Sequence, residues 1–365
     1  MTHRQRFQQI LEGGVPDRTA HVSRLNIWHN AHQTDGTLPS EVAHMTVPQI
    51  EDYLGMGHSA RRATTFTVEY DGLEEQTTVE GDVTTHRFIT PVGGAFCRFT
   101  HTQAMRDKGV SRIRTRHFIQ NDGDYDVMRY VAEHSRFVPA YDAYREYDVQ
   151  VGERGYPLTI LPESPIETIM LAYLGYERFY YDLADRPERI EALLDSLNAS
   201  YRQMWEVLAV SPARLVLHGV HFNSAITPPD IFRRYFLPYF QPFNQAMHRA
   251  GIKVAFHGDA DVSALLDLIA ACDFDVADCF ATAPLVACTF DQAREAWGNR
   301  IIIWGAIPSI ILEPHFDESE FRSYMTDLLN KTTGQSHFIL AVSDNIMPQA
   351  MFDRLCWIRD LIESS

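Results

Sequence analysis

The chain has 365 residues, of which 45% are hydrophobic and 22% charged, an ordinary composition for a soluble globular protein. Its 48 acidic residues outnumber the 32 basic ones, and the net charge of −16 argues against nucleic acid or an anionic membrane as a partner, because the long-range field repels both. The five cysteines form no CxxC pair and no apolar signal or membrane-spanning stretch is present, so a reducing, cytoplasmic setting is expected.

The amino-terminal segment predicts a helix followed by a strand. Residues 3–12 carry apolar side chains at helical spacing, and two glycines follow them as a helix end. Residues 19–28 alternate enough to predict a first strand, which would deliver Arg24, Asn26 and Trp28 at its carboxyl end.

Residues 64–100 change to a β-rich pattern. Short runs rich in threonine, valine and aromatic residues are separated by turn-forming pairs, so we predict a strand with an antiparallel excursion. Residues 101–150 are charged and predict mostly helical or irregular structure. The turn-forming pairs are Asp71-Gly72, Gly81-Asp82 and Gly93-Gly94.

From Pro157 onward, apolar strand patterns alternate with helical ones, which is typical of a parallel sheet. Six such strands and two nearer the amino terminus make eight, so we predict an α/β fold, a (β/α)8 TIM barrel formed by residues 1–365 as one domain. The six strand candidates are Leu158–Leu161, Arg214–His218, Lys253–His257, Phe274–Cys279, Arg300–Trp304 and Phe338–Ser343.

Polar side chains follow these strands where a barrel places its active site. The stretch from Gly251 to Asp259 is the centre of this prediction, because a buried strand there ends in His257 and Asp259. The candidate catalytic residues are His257, Asp259, His221 and Asp344. The candidate substrate-binding residues are Arg24, Asn26, Trp28, Glu163, Asn223 and Trp304. The candidate metal ligands are His257, Asp259, His218 and Cys279.

Each of these residues also has a purely structural interpretation. His257 and His218 can be hydrogen-bonded residues of the barrel interior, and Asp259 is a favoured helix N-cap. Cys279 can be a small buried hydrophobic residue. A metal site needs three or four nitrogen and oxygen or sulfur donors, whereas acid–base catalysis needs one group with a shifted pKa, and the sequence does not separate the two.

Five segments together resemble the uroporphyrinogen decarboxylase superfamily, which includes cobalamin-dependent methyltransferases. They run through most of the chain and fit its opening helix, its "TPvG" turn, two helical segments and its central strand. The segments are Arg4-Gln5-Arg6-Phe7 through Pro16-Asp17-Arg18; Thr90-Pro91-Val92-Gly93-Gly94; Ser164-Pro165-Ile166 through Arg186-Pro187-Glu188; Thr227-Pro228-Pro229 through Leu237-Pro238-Tyr239; and Gly251 through His257.

The resemblance implies a (β/α)8 barrel with one of two activities. The decarboxylases of the superfamily remove acetate side chains from a porphyrinogen without a cofactor, using an amino-terminal arginine motif. The methyltransferases hold zinc through a His-x-Cys pair and a later cysteine, and pass a methyl group between a thiol and a corrinoid protein. A further branch demethylates methoxy compounds onto a corrinoid protein.

This chain differs from both patterns. Leu25-Asn26-Ile27-Trp28 follows Arg24 in place of an arginine-rich loop, Asp259 replaces the central thiolate, and Ser343 or Asp344 stands near the late cysteine. Carboxylates in place of thiolates favour Zn, Mn or Fe with oxygen and nitrogen ligands.

Three functions follow as hypotheses. The first is a methyltransferase that moves a methyl group from a small donor to a corrinoid on a partner protein, with zinc or another divalent metal. The second is a decarboxylase of a porphyrinogen or a smaller acid, a lyase without a cofactor. The third is a non-catalytic barrel that binds a small molecule. A homodimer is compatible with all three.

Overall fold

The structure is a computed structural model that describes residues 1–220 and 222–364. The strands within these residues are listed in chain order. They are β1 (Phe66–Tyr70), β2 (Glu74–Glu80), β3 (Val83–Thr90), β4 (Gly93–Thr100), β5 (Ile113–Arg116), β6 (Ser135–Pro139), β7 (Thr159–Ile160), β8 (Leu215–Leu217), β9 (Lys253–His257), β10 (Val276–Phe280), β11 (Ile302–Ile307) and β12 (Phe338–Val342).

The helices connect these strands, and two of them continue as π-helical segments, Thr168–Leu174 after α7 and Phe232–Phe236 after α10. The helices are α1 (His3–Leu11), α2 (Asn26–Asp35), α3 (Val47–Tyr53), α4 (Gln103–Asp107), α5 (Asp122–Glu133), α6 (Tyr141–Val151), α7 (Pro165–Glu167), α8 (Tyr176–Asp185), α9 (Pro187–Ala209), α10 (Pro229–Ile231), α11 (Leu237–Arg249), α12 (Leu266–Ala271), α13 (Phe290–Trp297), α14 (Glu318–Thr332) and α15 (Phe352–Glu363).

The first of two compact units comprises Met1–Ala63, Arg145–Ile160 and the chain from Arg214 onward. Its centre is a six-stranded parallel sheet in the order β12-β11-β10-β9-β8-β7. Every residue of β10, β11 and β12 is buried, as expected for parallel strands that are covered on both faces. The prediction of a parallel sheet from Pro157 onward is confirmed.

Apolar side chains form a core on one face of this sheet. On the same face, polar side chains follow them at the carboxyl ends of the strands. Ala255 and Val276 belong to the core, and His257 and Asp278 lie two residues further along β9 and β10. Side chains two residues apart in a strand point to the same face, so His257 and Asp278 extend the row of core residues. The core cluster consists of Phe7, Ile10, Leu11, Ala20, Val22, Leu158, Leu215, Leu217, Ala255, Val276, Ile302, Trp304, Ile339 and Ala341.

The predicted eight-stranded closed barrel differs from the sheet in the described residues, which has six strands and only isolated parallel bridges at its edges, one of them between His58 and Gly155. His21 bridges Leu340 of β12, and Ala63 bridges Thr159 of β7. Regular pairing does not extend beyond these bridges, so the sheet does not close through its strands.

The strand predicted over residues 19–28 is wrong for most of its length. His21 makes its one bridge, and α2 begins at Asn26, so Asn26 and Trp28 lie on a helix. The alternating pattern was misleading because Trp28 is buried on the inner side of this helix, at 1% exposure, with its indole N–H donated to the Ala350 carbonyl.

The second compact unit comprises Thr64–Tyr144 and Leu161–Ala213. It contains a four-stranded antiparallel sheet in the order β2-β3-β4-β5 and an antiparallel pair of β1 and β6. The predicted antiparallel excursion near residues 64–100 is therefore confirmed. The sequence prediction missed β5 and β6. In the case of β5 the reason is that it is a short, charged edge strand, Ile-Arg-Thr-Arg, with no apolar alternation.

In the described chain, no helix combines the length and the apolar character that crossing a membrane requires.

Replacing Asp275 with asparagine is expected to lower the free energy of unfolding by about 2–3 kcal/mol, because charge-assisted hydrogen bonds of a buried carboxylate are lost. Asp275 lies just before β10 and accepts hydrogen bonds from His248 Nε2 at 2.7 Å, Lys253 Nζ at 2.8 Å and the Val254 backbone N–H at 2.8 Å. Burial raises the pKa of Asp275, but these donors outweigh it and lower the pKa overall. Asp273→Asn is the matched control, because Asp273 is exposed, and about 0.5 kcal/mol or less is expected.

The same site gives a stability effect with a defined pH dependence. The hydrogen bond to Asp275 is the main cause that raises the pKa of His248, against burial, which lowers it. The contribution of His248 is therefore fully present below about pH 6.5 and is lost as pH rises through the raised pKa. Urea unfolding should give a larger difference between wild type and Asp275→Asn at about pH 6 than at about pH 9. A difference that grows with pH would contradict this assignment.

Candidate metal and active site

Three potential metal ligands converge at the carboxyl ends of the parallel strands in the first unit. His257 ends β9, Cys279 lies in β10, and Asp344 follows β12. One imidazole nitrogen, the thiol sulfur and one carboxylate oxygen all lie within 4.8 Å of one another. Cys279 is buried, and His257 and Asp344 are partly exposed, so the cluster is open to solvent on one side.

A β-bulge brings Cys279 into this cluster. Between β10 and β11 the register shifts after Asp278, which leaves Cys279 as an extra residue with a φ of 52°. A bulge re-aims side chains locally, and bulges are common beside active sites. Here it allows two successive residues to contact one guanidinium, because Arg61 Nη2 donates to Asp278 Oδ1 and to Cys279 Sγ at 3.3 Å.

His257 lies between three carboxylates. Its Nδ1 is 3.0 Å from Asp278 Oδ2, and its Nε2 is 3.4 Å from Asp259 Oδ2 and 3.6 Å from Asp344 Oδ1. Burial by itself lowers the pKa of His257, but Cys279 and the three carboxylates raise it, and the resulting pKa lies well above the usual value. The groups around His257 therefore stabilise a positive charge at this position, either a proton on the imidazole or another cation beside it.

Asp278 fixes the orientation of the His257 ring. Asp278 is fully buried, and although burial raises its pKa, Arg61 and His257 hold the pKa far below the usual range. An ionised carboxylate only accepts hydrogen bonds, so Nδ1 of His257 is the donor and Nε2 faces the cluster. A carboxylate on the distal nitrogen of a metal-binding histidine is a common arrangement, because it sets the tautomer.

Arg61 supports Asp278 and is itself held by an aromatic ring. Its guanidinium lies 5.1 Å from the ring centroid of Trp304. Burial lowers the pKa of Arg61, but its interactions with Asp278, Cys279 and Asp344 raise the pKa above its usual value. Arg61 therefore stays charged in the interior and balances the buried carboxylate.

Asp344 is held in position by its backbone and by two donors. Its φ is 60°, a conformation that aspartate tolerates better than most residues. Arg24 Nη1 donates to Oδ1 at 2.5 Å, and Asn345 Nδ2 donates to Oδ2 at 2.8 Å. Burial raises the pKa of Asp344, but His257 and Arg24 lower it to about 2. Its carboxylate is thus ionised and fixed beside His257.

The three donors fit a divalent transition metal by their chemistry. Zinc is bound in proteins by imidazole nitrogen, thiolate sulfur and carboxylate oxygen. Besides carboxylates in place of thiolates, the sequence made Cys279 a candidate ligand, and the structure brings its sulfur to the cluster from the neighbouring strand. A sulfur ligand favours Zn over Mn or Mg.

Several predicted site residues are brought together here and others are not. Asp259 and Arg24 join the three donors, through His257 and Asp344 respectively. His218 is fully buried, with Nε2 2.8 Å from Tyr239 Oη and its ring against Phe243.

Three predicted substrate-binding residues of the first unit are not among these donors. Trp304 is in the core at 1% exposure and donates to the Val22 carbonyl. Asn223 accepts the Ala225 N–H in a turn, and Asn26 is exposed at the start of α2.

Two further candidates cannot be placed in the cluster. His221 lies outside the described residues. Glu163 belongs to the second unit, where its side chain is exposed and its carbonyl accepts a hydrogen bond from the Thr168 hydroxyl.

The sequence prediction missed the role of Arg61 and gave Asp278 no site function. Arg61 follows Ala60, whose carbonyl accepts the Leu158 N–H, so this segment runs along the edge of the sheet at β7. A pair of arginines between two alanines, Ala60-Arg61-Arg62-Ala63, was the available signal. Asp278 was recognised at the end of the predicted strand Phe274–Cys279, and its core-facing position in an otherwise apolar strand was the signal for a role.

Comparisons with known proteins agree with this architecture. No curated protein matches the chain. Among solved structures, a methyltransferase from Methanosarcina mazei superposes with a TM-score of 0.58 at 14% sequence identity, over 100% of this chain and 99% of that one, a likeness of fold. The family model "Uroporphyrinogen decarboxylase (URO-D)" matches residues 105–364, which is more than half of the sequence, and the chain therefore belongs to the uroporphyrinogen decarboxylase family.

Proposed function

We propose that the protein is a zinc-dependent methyltransferase that moves a methyl group from a small methyl donor to a corrinoid carried by a partner protein. The observation that carries this proposal is the convergence of the imidazole of His257, the thiol of Cys279 and the carboxylate of Asp344 within 4.8 Å. A decarboxylase that works without a cofactor has no need of such a set of donors. Bound zinc would supply a Lewis acid that activates the group exchanging the methyl.

The metal would be held by His257, Cys279 and Asp344. The surrounding residues would orient these three side chains through hydrogen bonds. Asp278 accepts the Nδ1 proton of His257, which keeps Nε2 available as a ligand. Arg61 donates to Cys279 Sγ at 3.3 Å, which holds the sulfur in place beside the other two donors. Arg24 fixes the Asp344 carboxylate.

Asp259 is the residue best placed to move a proton. Its Oδ2 lies 3.4 Å from His257 Nε2, at the partly exposed side of the cluster. In our proposal Asp259 takes up a proton from solvent and passes it to the leaving group as the bond to the methyl group breaks, which is a role for a carboxylate within reach of the reacting atoms.

The charges around the cluster favour a small donor over a porphyrinogen. The guanidiniums of Arg24 and Arg61 are both engaged by carboxylates, of Asp344 and Asp278. Three carboxylates stand around His257 against these two cations, so the side chains of the cluster offer no surplus positive charge to a polyanionic substrate.

A closed (β/α)8 barrel is the fold we propose for the first unit. The edge segments at His21 and Ala63 bridge the two ends of the sheet, and the Gly57 N–H donates to the His21 carbonyl at 2.8 Å, which links one edge segment to the other. Such a closure would place the cluster at the face where barrel enzymes bind their substrates.

The function is tested by incubating the zinc-loaded protein with a cob(I)alamin source and a panel of small O- and N-methyl compounds. We expect methylcobalamin, detected by its absorption spectrum, with at least one donor. Uroporphyrinogen is the second substrate in the same experiment. Carbon dioxide release from uroporphyrinogen, without methylcobalamin from any donor, would contradict the proposal and favour decarboxylation.

A further inference from the structure

The outer face of the antiparallel sheet in the second unit gathers three arginines around one phenylalanine. Arg87 lies opposite Phe96 on the neighbouring strand, and Arg98 lies opposite Arg116. The guanidinium carbons of Arg87, Arg98 and Arg116 are 5.2, 5.2 and 3.6 Å from the ring centroid of Phe96. We call this group, formed by Arg87, Phe96, Arg98 and Arg116, the arginine face.

The arginine face lies on the side of the sheet away from its buried residues. Phe88, Ala95 and Cys97 alternate with the face along β3 and β4, and all three are buried. Alternate residues of a strand point to opposite sides, so the arginines are on the solvent side. Aliphatic side chains surround them on that side and are exposed too. They are Val83 at 36%, Ile89 at 38% and Ile113 at 60%.

The arginine face concentrates positive charge, and Asp124 attracts the guanidinium of Arg116 without forming an ion pair with it. None of its three guanidiniums forms an ion pair with a carboxylate of a described residue. Arg98 and Arg116 are directly opposite one another, and like charges in that position destabilise a sheet. Burial lowers the pKa of Arg116, Asp124 raises it, and Arg98 and Arg87 lower it further. Repulsion between these like charges is unfavourable for the sheet, and the chain as a whole is acidic, with a net charge of −16. A cluster of arginines that persists under these conditions indicates a surface for recognition.

We propose that the arginine face binds an acidic surface of a partner protein. Arginine and aromatic side chains are enriched where protein interfaces concentrate their binding energy, and guanidinium pairs with carboxylate through two parallel hydrogen bonds. The exposed aliphatic side chains around the arginines suit a protein surface, which also presents apolar atoms.

The proposal is tested with the full chain and a short fluorescein-labelled poly-glutamate peptide, followed by fluorescence anisotropy at low salt. The variant Arg87→Gln/Arg98→Gln/Arg116→Gln should bind the peptide about tenfold more weakly than wild type. The matched control carries Arg129→Gln, Arg136→Gln and Arg189→Gln. These arginines lie in the same unit but are already ion-paired, so the control loses the same charge and should bind within about twofold of wild type.

Arg116 also donates to the backbone carbonyl of Phe96, so its loss could disturb the sheet. The double variant Arg87→Gln/Arg98→Gln leaves that bond in place and should weaken binding in the same direction, without a lower melting temperature.

Three results would overturn the proposal. The first is equal weakening in the face variant and the control. The second is a wild type that does not bind the peptide. The third is a single-stranded oligonucleotide of equal charge that binds more tightly than the peptide and loses affinity in the face variant.

Discussion

Replacing Cys279 with serine is expected to weaken zinc binding by at least about 100-fold and to abolish methyl transfer. Mutation of the outer partners of metal ligands already costs 10–100-fold, and Cys279 supplies the one sulfur among the three donors. Serine keeps nearly the same volume but has a hydroxyl that stays protonated at neutral pH. The cluster would then retain one nitrogen and one carboxylate donor.

Cys288→Ser is the matched control for this measurement. Cys288 is also fully buried, and its Sγ lies 3.7 Å from the Thr289 carbonyl, a hydrogen bond that a serine hydroxyl can make. Competition with a chromophoric chelator would give the zinc affinity of each variant. If Cys279→Ser and Cys288→Ser bind zinc as tightly as wild type, Cys279 is a buried packing residue and the assignment of a sulfur ligand is wrong.

Replacing Arg61 with methionine is expected to lower the free energy of unfolding by about 3–5 kcal/mol, because it leaves a buried charge without its main partner. The Asp278 side chain is fully buried, and Arg61, at 12% side-chain exposure, is the guanidinium that pairs with it. The His257 imidazole would be the charged neighbour that Asp278 retains in the described chain. Urea unfolding in the presence of a chelator measures this effect without a contribution from bound metal.

Two further variants separate the ion pair from general loss of packing. Arg62→Met removes the neighbouring arginine, which is exposed and lies 5.8 Å from the ring centroid of Tyr147, and it should cost less than about 1 kcal/mol. Arg61→Met/Asp278→Asn should recover part of the stability, because the remaining buried group is neutral. A double variant less stable than Arg61→Met, or an Arg62→Met as damaging as Arg61→Met, would show that the buried charge is not the cause.

The parallel strands could be predicted because burial on both faces makes them continuous apolar runs. Lys253–His257 is predicted with the bounds that the structure has, and the alternation of such runs with helical patterns predicts a parallel sheet. The strand predicted over residues 19–28 was wrong because an alternating pattern is ambiguous where an amphipathic helix follows a short extended segment. Asn26 to Asp35 form the helix, and the buried Trp28 fits either pattern.

The candidate site could be predicted in part, because the carboxyl ends of parallel strands are adjacent. His257, Asp259, Cys279 and Asp344 all follow or end such strands, and position alone brings them together. The bulge at Cys279 could not be predicted, since it depends on the register between β10 and β11.

The partners of the candidate ligands depend on contacts that the sequence pattern does not encode. Arg61 reaches Asp278 across 217 residues of chain, and its own segment has no strong strand pattern. His218 was predicted from its position at a strand end, and in the structure its ring lies against Tyr239 and Phe243.

X-ray absorption spectroscopy at the zinc edge, on the protein loaded with one equivalent of zinc, tests the central claim most directly. We predict a sulfur scatterer at about 2.3 Å together with nitrogen and oxygen scatterers at about 2.0–2.2 Å, from Cys279, His257 and Asp344. The sulfur scatterer should disappear in Cys279→Ser. A first coordination shell of nitrogen and oxygen alone in the wild type, or a protein that retains no zinc after dialysis, would contradict the account.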